Sequence, residues 1–157
     1  ELETNIKKAF EFSPYVLLEK AVTGRELEVS VYQYGDDIVA TVPGEIVCPK
    51  GFYDYQEKYS KTSQTITHVV APNVSTDIAQ KLQKTCRQVF QLLKLKNLSR
   101  IDFFLEKSGA FYLNEINTFP GLTPISLFPQ MLKNHGHDFS KYLVESINKD
   151  LKNSKRE

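Results

Sequence analysis

Cysteine is scarce in this 157-residue sequence, and the two present, Cys48 and Cys86, match no metal-binding or redox spacing. Cys86 falls on the apolar stripe of a helical pattern, where a thiol behaves as a small core residue. Histidine is sparse as well. His68, His135 and His137 lack the HExxH-like frame of a zinc helix, so no zinc site is expected. Charge of one sign is missing: 20 Lys and Arg against 19 Asp and Glu leave a net +1, and the one dense run, residues 152–157, has the character of a solvated tail. Nucleic acid is therefore not an expected partner. No apolar run approaches the ~20 residues of a membrane span, and the start lacks the charged-then-apolar order of a signal peptide. A cytoplasmic protein without a membrane partner is the expectation. No repeat or low-complexity segment interrupts the chain, and 41% hydrophobic content over this length suffices for one buried core.

What is present sorts into helical and strand-like periods. Leu2, Ile6, Ala9 and Phe10 recur at helical spacing with no initiator Met before them, so the sequence is expected to begin mid-domain. Tyr15 to Leu18 predicts a short apolar strand and Thr23-Gly24 a turn. Leu27, Val29 and Val31 then alternate with Glu28, Ser30 and Tyr32 as in a half-buried strand. Gly35-Asp36-Asp37 turns that strand into Ile38 to Val42, making a hairpin. The stretch from Cys48 to Gln64 has no clean period and predicts a long loop, a kind of segment that is usually functional. A strand around Ile66 to Val70 and a break at Pro72 precede a helix capped by Ser75, with Ile78, Leu82, Cys86, Val89 and Leu93 on one face. Arg100 to Leu105 and Phe111 to Asn117 predict strands, and Phe139, Leu143, Ile147 and Leu151 a terminal helix. The class is α+β, an antiparallel sheet packed against helices.

The segment RIDFFLEKSGAFYLNEINTFPG, residues 100–121, concentrates the chemistry. With Ser108-Gly109 as a two-residue loop, Leu105 pairs with Tyr112, Phe104 with Leu113, Asp102 with Glu115 and Arg100 with Asn117. Strand alternation then puts Arg100, Asp102, Glu115 and Asn117 on one face, with Ile101, Phe103, Leu105, Tyr112 and Ile116 on the other. Facing carboxylates repel, so a cation is expected between them. Two carboxylates and an amide oxygen suit magnesium, which completes its shell with water and phosphate oxygens. The alternative is an ordinary amphipathic hairpin whose wet face carries these groups, with Arg100 neutralising them.

The order of these residues resembles the metal-binding signature of the ATP-grasp superfamily, and RIDFF followed by YLNEINTFPGLT resembles the D-alanine:D-alanine ligases in particular. The likeness extends over nearly the whole chain and implies the carboxyl-terminal portion of an ATP-grasp catalytic domain, residues 1–157. VLLEKAVTGRELEVSV, residues 16–31, is similar to the family's adenine hinge. That likeness implies main-chain bonds from Glu19 and Val22 to the adenine edge, Lys20 beside the ring and Glu26 on the ribose hydroxyls; on their own these would be polar residues at strand ends. GFYDYQEKYS, residues 51–60, resembles the active-site loop, which implies that Lys58 reaches phosphate or substrate carboxylate and that Tyr59 latches the loop. GLTPISLFPQM, residues 121–131, resembles the segment that holds the second amino acid, with Ser126 and the Leu127 backbone near its carboxylate. Arg100 and the Gly121 N–H would then stabilise an oxyanion, and Asp102, Glu115 and Asn117 would hold two magnesium ions, or manganese in their place.

The activity so implied is ATP-dependent joining of two D-alanines through an acyl phosphate, for peptidoglycan synthesis and hence the cell wall and cell shape. ATP and D-alanine are the implied small-molecule partners, and a homodimer is among the full-length assemblies. The family's amino-terminal substrate domain and glycine-rich phosphate loop have no counterpart here, so an inactive fragment is expected that needs the amino-terminal part of the same enzyme. Three alternatives stay open: a D-alanine:D-lactate ligase, which the FYDYQEKYS loop disfavours, a non-catalytic nucleotide-binding module, and a two-metal phosphoesterase, which would normally draw on more carboxylates or histidines.

Overall fold

The computed structural model describes residues 1–48 and 65–154. The sheet grows around β1, Arg25–Tyr34, whose Leu27, Val29 and Val31 have the branched or apolar character that suits a pleated surface. Its alternation predicts one wet face, yet every residue from Leu27 to Tyr32 is buried. The reason is that both edges are paired, one face is covered by a helix, and the Tyr32 end of the other is covered as well. Along one edge runs β5, Leu98–Leu105, antiparallel from Arg25 opposite Leu105 to Tyr32 opposite Leu98. Along the other lie β2, Asp37–Ala40, and β3, Gly44–Val47. With β4, Ile66–His68, outside β3 and β6, Phe111–Asn117, outside β5, the order is β4-β3-β1-β5-β6, with β2 beside β1.

Among the described residues four helices accompany this antiparallel sheet. The first, α1, spans Leu2–Phe10 and buries no residue. Next, α2, Thr76–Leu92, starts at Ser75, whose hydroxyl accepts a hydrogen bond from the Ile78 N–H at 3.3 Å. It packs Leu82, Cys86 and Phe90 onto Leu27, Val29, Val31, Ile101 and Phe103, and this is the main core. Phe90 takes the place that the sequence pattern assigns to Leu93, which is 53% exposed at the helix end. On the opposite face, α3, Leu127–Asn134, and α4, Phe139–Ser154, close around Tyr32 with Leu98, Phe128, Leu132 and Tyr142. The Tyr32 hydroxyl lies 2.7 Å from His137 Nδ1. This second cluster covers the Tyr32 end of the face, while the Glu28 end opens onto a cavity.

Two local expectations change, and a third lies outside the described residues. Tyr15 to Leu18 forms no strand: Tyr15, Leu17 and Leu18 are 68–86% exposed, and an apolar run without a neighbouring ladder makes no sheet. The strands β3 and the helix α3 have no counterpart in the predicted elements. Residues 49–64 lie outside the described residues, so the predicted loop there is described only at Cys48. Among the described residues no helix is long and apolar enough to cross a membrane.

Candidate functional site

The β5–β6 hairpin departs from the two-residue loop expected of Ser108-Gly109. Glu106 N–H donates to Ala110 O at 2.9 Å, Gly109 N–H donates back to Glu106 O at 3.0 Å, and Gly109 sits at φ +87°. That is a three-residue loop with glycine in the left-handed position. Leu105 therefore faces Phe111, and Phe104 faces Tyr112, one residue off the expected register. A bulge at Asn114 shifts the ladder back, so that Asp102 faces Glu115 and Arg100 faces Asn117 as the sequence predicts. Phe111 consequently replaces Tyr112 on the core side, 5.9 Å from the Phe103 ring. Tyr112 turns to the cavity instead.

The sheet register puts three carboxylates in one row across adjacent strands: Glu28 beside Asp102, and Asp102 beside Glu115. Arg100, from the next row, lies among all three. Its Nε and Nη2 donate to the two oxygens of Asp102 at 2.8 and 2.7 Å, Nε is 3.3 Å from Glu28 Oε2, and Nη2 is 4.0 Å from Glu115 Oε1. The cation expected between the carboxylates is thus Arg100 itself. Burial works against the charge of Arg100, but Asp102, Glu28 and Glu115 outweigh it and raise its pKa. Burial raises the pKa of Asp102, with Glu115 adding to it, against the downward pull of Arg100. No described residue bonds to Nη1, so one edge of the guanidinium still has N–H groups to donate.

Asn117 Nδ2 donates to Asp102 Oδ2 at 3.0 Å and to Glu115 Oε1 at 3.1 Å. Among the described residues no three His, Cys, Asp or Glu side chains converge as a metal would require. The donor set fits a hard divalent ion nonetheless. Glu115 is more than half exposed and able to swing, and turning the Asn117 amide over presents its oxygen in place of its NH2.

A cavity of about 600 Å³ spreads over this face. It is lined by Glu19, Lys20, Val22 and Glu26, together with Arg100, Asp102 and Glu115, so the predicted hinge and the hairpin meet in one hollow. Burial, with a smaller push from Asp102, raises the pKa of Glu26. Phe104, Tyr112, Leu113, Asn114 and Ile46 give it apolar and amide walls, and none of these is a site residue in the sequence reading, which puts Tyr112 on the core side. Gly121, Ser126 and Leu127 are not among its lining residues. They form a separate group in which a Cβ on Gly121 would come within 2.7 Å of Ser126 Oγ, and Ser126 Oγ lies 2.8 Å from Thr123 Oγ1. Ser126 precedes α3 without capping it by its side chain, and its hydroxyl is engaged with Thr123 instead. Lys58 and Tyr59 lie outside the described residues. A second hollow, about 680 Å³, opens at the hairpin tip between Gly24, Ile78 and Lys107 and contains none of the predicted residues.

Residues 1–148 match the family described as D-ala D-ala ligase C-terminus. A D-alanine--D-alanine ligase of Shewanella sp. (strain ANA-3) is 54% identical over 147 residues, which are 93% of this chain and 44% of that protein. Among solved structures, D-alanyl-alanine synthetase A of Vibrio cholerae superposes with a TM-score of 0.84 at 48% identity, over 93% of this chain and 44% of that one. A D-alanine--D-alanine ligase of Bacillus anthracis complexed with ATP gives 0.76 at 27% identity, over 99% and 49%. The chain thus spans less than half the length of the relatives it matches, and by the family match over nearly all its residues it belongs to the D-Ala-D-Ala ligase C-terminal family.

Proposed function

We propose that this chain supplies the carboxyl-terminal part of an ATP-dependent, ADP-forming ligase that joins two D-alanines in the cytoplasm for peptidoglycan precursor synthesis. The amino-terminal substrate domain and the glycine-rich phosphate loop come from the rest of the same enzyme. The observation that carries the reading is Arg100: a guanidinium held by three carboxylates at one wall of the cavity, with an N–H edge left to donate. Such a group is preorganised for negative charge that appears only during reaction.

ATP would lie with its adenine along Glu19 to Val22, and Glu26 would accept hydrogen bonds from the ribose hydroxyls. The ATP-bound Bacillus anthracis relative supports ATP as the nucleotide. Two magnesium ions held by Asp102, Glu115 and Asn117 would neutralise charge on the phosphate oxygens. The carboxylate of the first D-alanine takes the γ-phosphoryl group, and the amine of the second attacks the resulting acyl carbonyl. Arg100 and the Gly121 N–H then stabilise the oxyanion until phosphate leaves. Ser126 and the Leu127 N–H at the start of α3 would fix the carboxylate of the second amino acid. Lys58 and Tyr59 would close the site against water, which would otherwise hydrolyse the acyl phosphate.

The test uses the full-length enzyme carrying this segment. ADP release should depend on D-alanine, mass spectrometry should find the dipeptide, and Glu115→Gln should lower kcat at least about 10²-fold, the scale on which a transition-state charge contact acts. ADP release that ignores D-alanine, or a Glu115→Gln enzyme of normal rate, would overturn the proposal.

A further inference from the structure

We infer that Glu28 is a positioning residue for Arg100, a role no part of the hairpin signature assigns. The inference rests on the proposed function of Arg100 and extends it to a strand outside the signature. Glu28 is 4% exposed on β1, directly beside Asp102 in the sheet register, and Gly44 flanks it on the other side. Its Oε2 approaches Arg100 Nε at 3.3 Å, while Asp102 holds the Nε and Nη2 edge.

The two carboxylates do different work. Asp102 fixes the guanidinium from its own strand, two residues along, and would also be drawn on by a bound cation. Glu28 belongs to the central strand, anchored on both edges, so from the wall of the same cavity it holds the guanidinium against a second strand. With Asp102 shared, the Glu28 contact keeps the Nη1 edge aimed in one direction. A displacement on the order of 1 Å in such a group costs about 10²-fold in rate. Glu28 therefore acts through Arg100 and does not touch the reacting atoms.

A double-mutant cycle in the full-length enzyme tests this, because two residues that act as a unit give non-additive losses. Glu28→Gln keeps size and burial while removing the charge. It should lower kcat about 10–100-fold, with KM for ATP within about twofold of the parent and an unchanged melting temperature to within a few degrees. In an Arg100→Ala background the same substitution should cost less than about twofold. An equal loss in both backgrounds would make Glu28 a structural residue, and no loss in the parent background would also overturn the inference. Should Glu28→Gln fail to fold, Glu28→Asp, which retains charge but shortens the reach, goes through the same cycle with the same two criteria. Normal activity of Arg100→Ala alone would instead refute the proposed role of Arg100, separating that failure from this one.

Discussion

Asp102 and Glu115 face each other across the hairpin, yet they differ in what their removal should do. Asp102 is the bidentate partner of a buried guanidinium, whereas Glu115 is mostly exposed and sits 4.0 Å from the same group. Asp102→Asn should therefore destabilise the fold by about 1–3 kcal/mol, since it takes a charged hydrogen-bond partner from Arg100. Glu115→Gln should stay within about 0.5 kcal/mol of the parent. Urea unfolding of the two variants checks this, and equal stabilities would mean that Asp102 contributes no more than a surface acid. Glu26 offers a pH-dependent contrast. Its folded-state pKa is raised by burial above the ordinary 4.5, so folding favours the protonated form. That contribution is fully present below 4.5 and is lost as pH rises through the raised value. Glu26→Gln should consequently be more stable than the parent at pH 7 and match it below pH 4.5, as read by denaturant midpoints at both pH values. A Gln variant less stable than the parent at pH 7 would contradict the burial account.

At the scale of elements, the β6 bulge is the feature that most directly joins fold to site. Pairing is Phe103 with Leu113 on one side of it and Asp102 with Glu115 on the other, so Asn114 is the one supernumerary residue. Deleting Asn114 leaves both pairs intact in an uninterrupted ladder. The deletion should keep or slightly raise the melting temperature, by a few degrees at most. It should also weaken nucleotide binding by the full-length enzyme at least about tenfold, because Asn114 and the twist it imposes shape the cavity wall. Calorimetry of both proteins decides, and unaltered affinity would reduce the bulge to a register repair. The same hairpin shows what a sequence conveys. The Asp102–Glu115 and Arg100–Asn117 pairs were legible because a three-residue loop and a bulge, each invisible to simple alternation, cancel. Between them Tyr112 and Phe111 exchange faces, and no local pattern announces it. Glu28 escaped for a different reason: alternation gives its face, but only the sheet order brings it beside Asp102. The Tyr15 to Leu18 period is real, yet a strand requires a partner that local pattern does not supply.

For the molecule as a whole, the two clusters on either side of β1 give the sheet a core on each face, and a further run of apolar surface lies outside both clusters. Leu17 and Leu18 are 80% and 68% exposed, Phe12 and Tyr15 more so, and α1 buries nothing. These residues lead directly into Glu19 to Val22, which line the cavity and form the proposed hinge. The relatives are more than twice as long as this chain. If the rest of the enzyme covers residues 10–18, it also orders the hinge that follows them. Leu17→Ser should then change the stability of the isolated chain by no more than about 0.5 kcal/mol, the ordinary range for an exposed site. In the full-length protein it should cost about 2 kcal/mol, the scale of removing a buried leucine. The isolated chain should bind ATP with magnesium at least about tenfold more weakly than the full-length protein, because its hinge must be ordered at the expense of binding energy. It should also release no phosphate in response to D-alanine. Isothermal calorimetry and a phosphate assay on both lengths read these outcomes together. Equal ATP affinity would show that the proposed hinge is already ordered in the chain alone, and a Leu17→Ser change that costs nothing at full length would mean that the rest of the full-length protein packs on some other face.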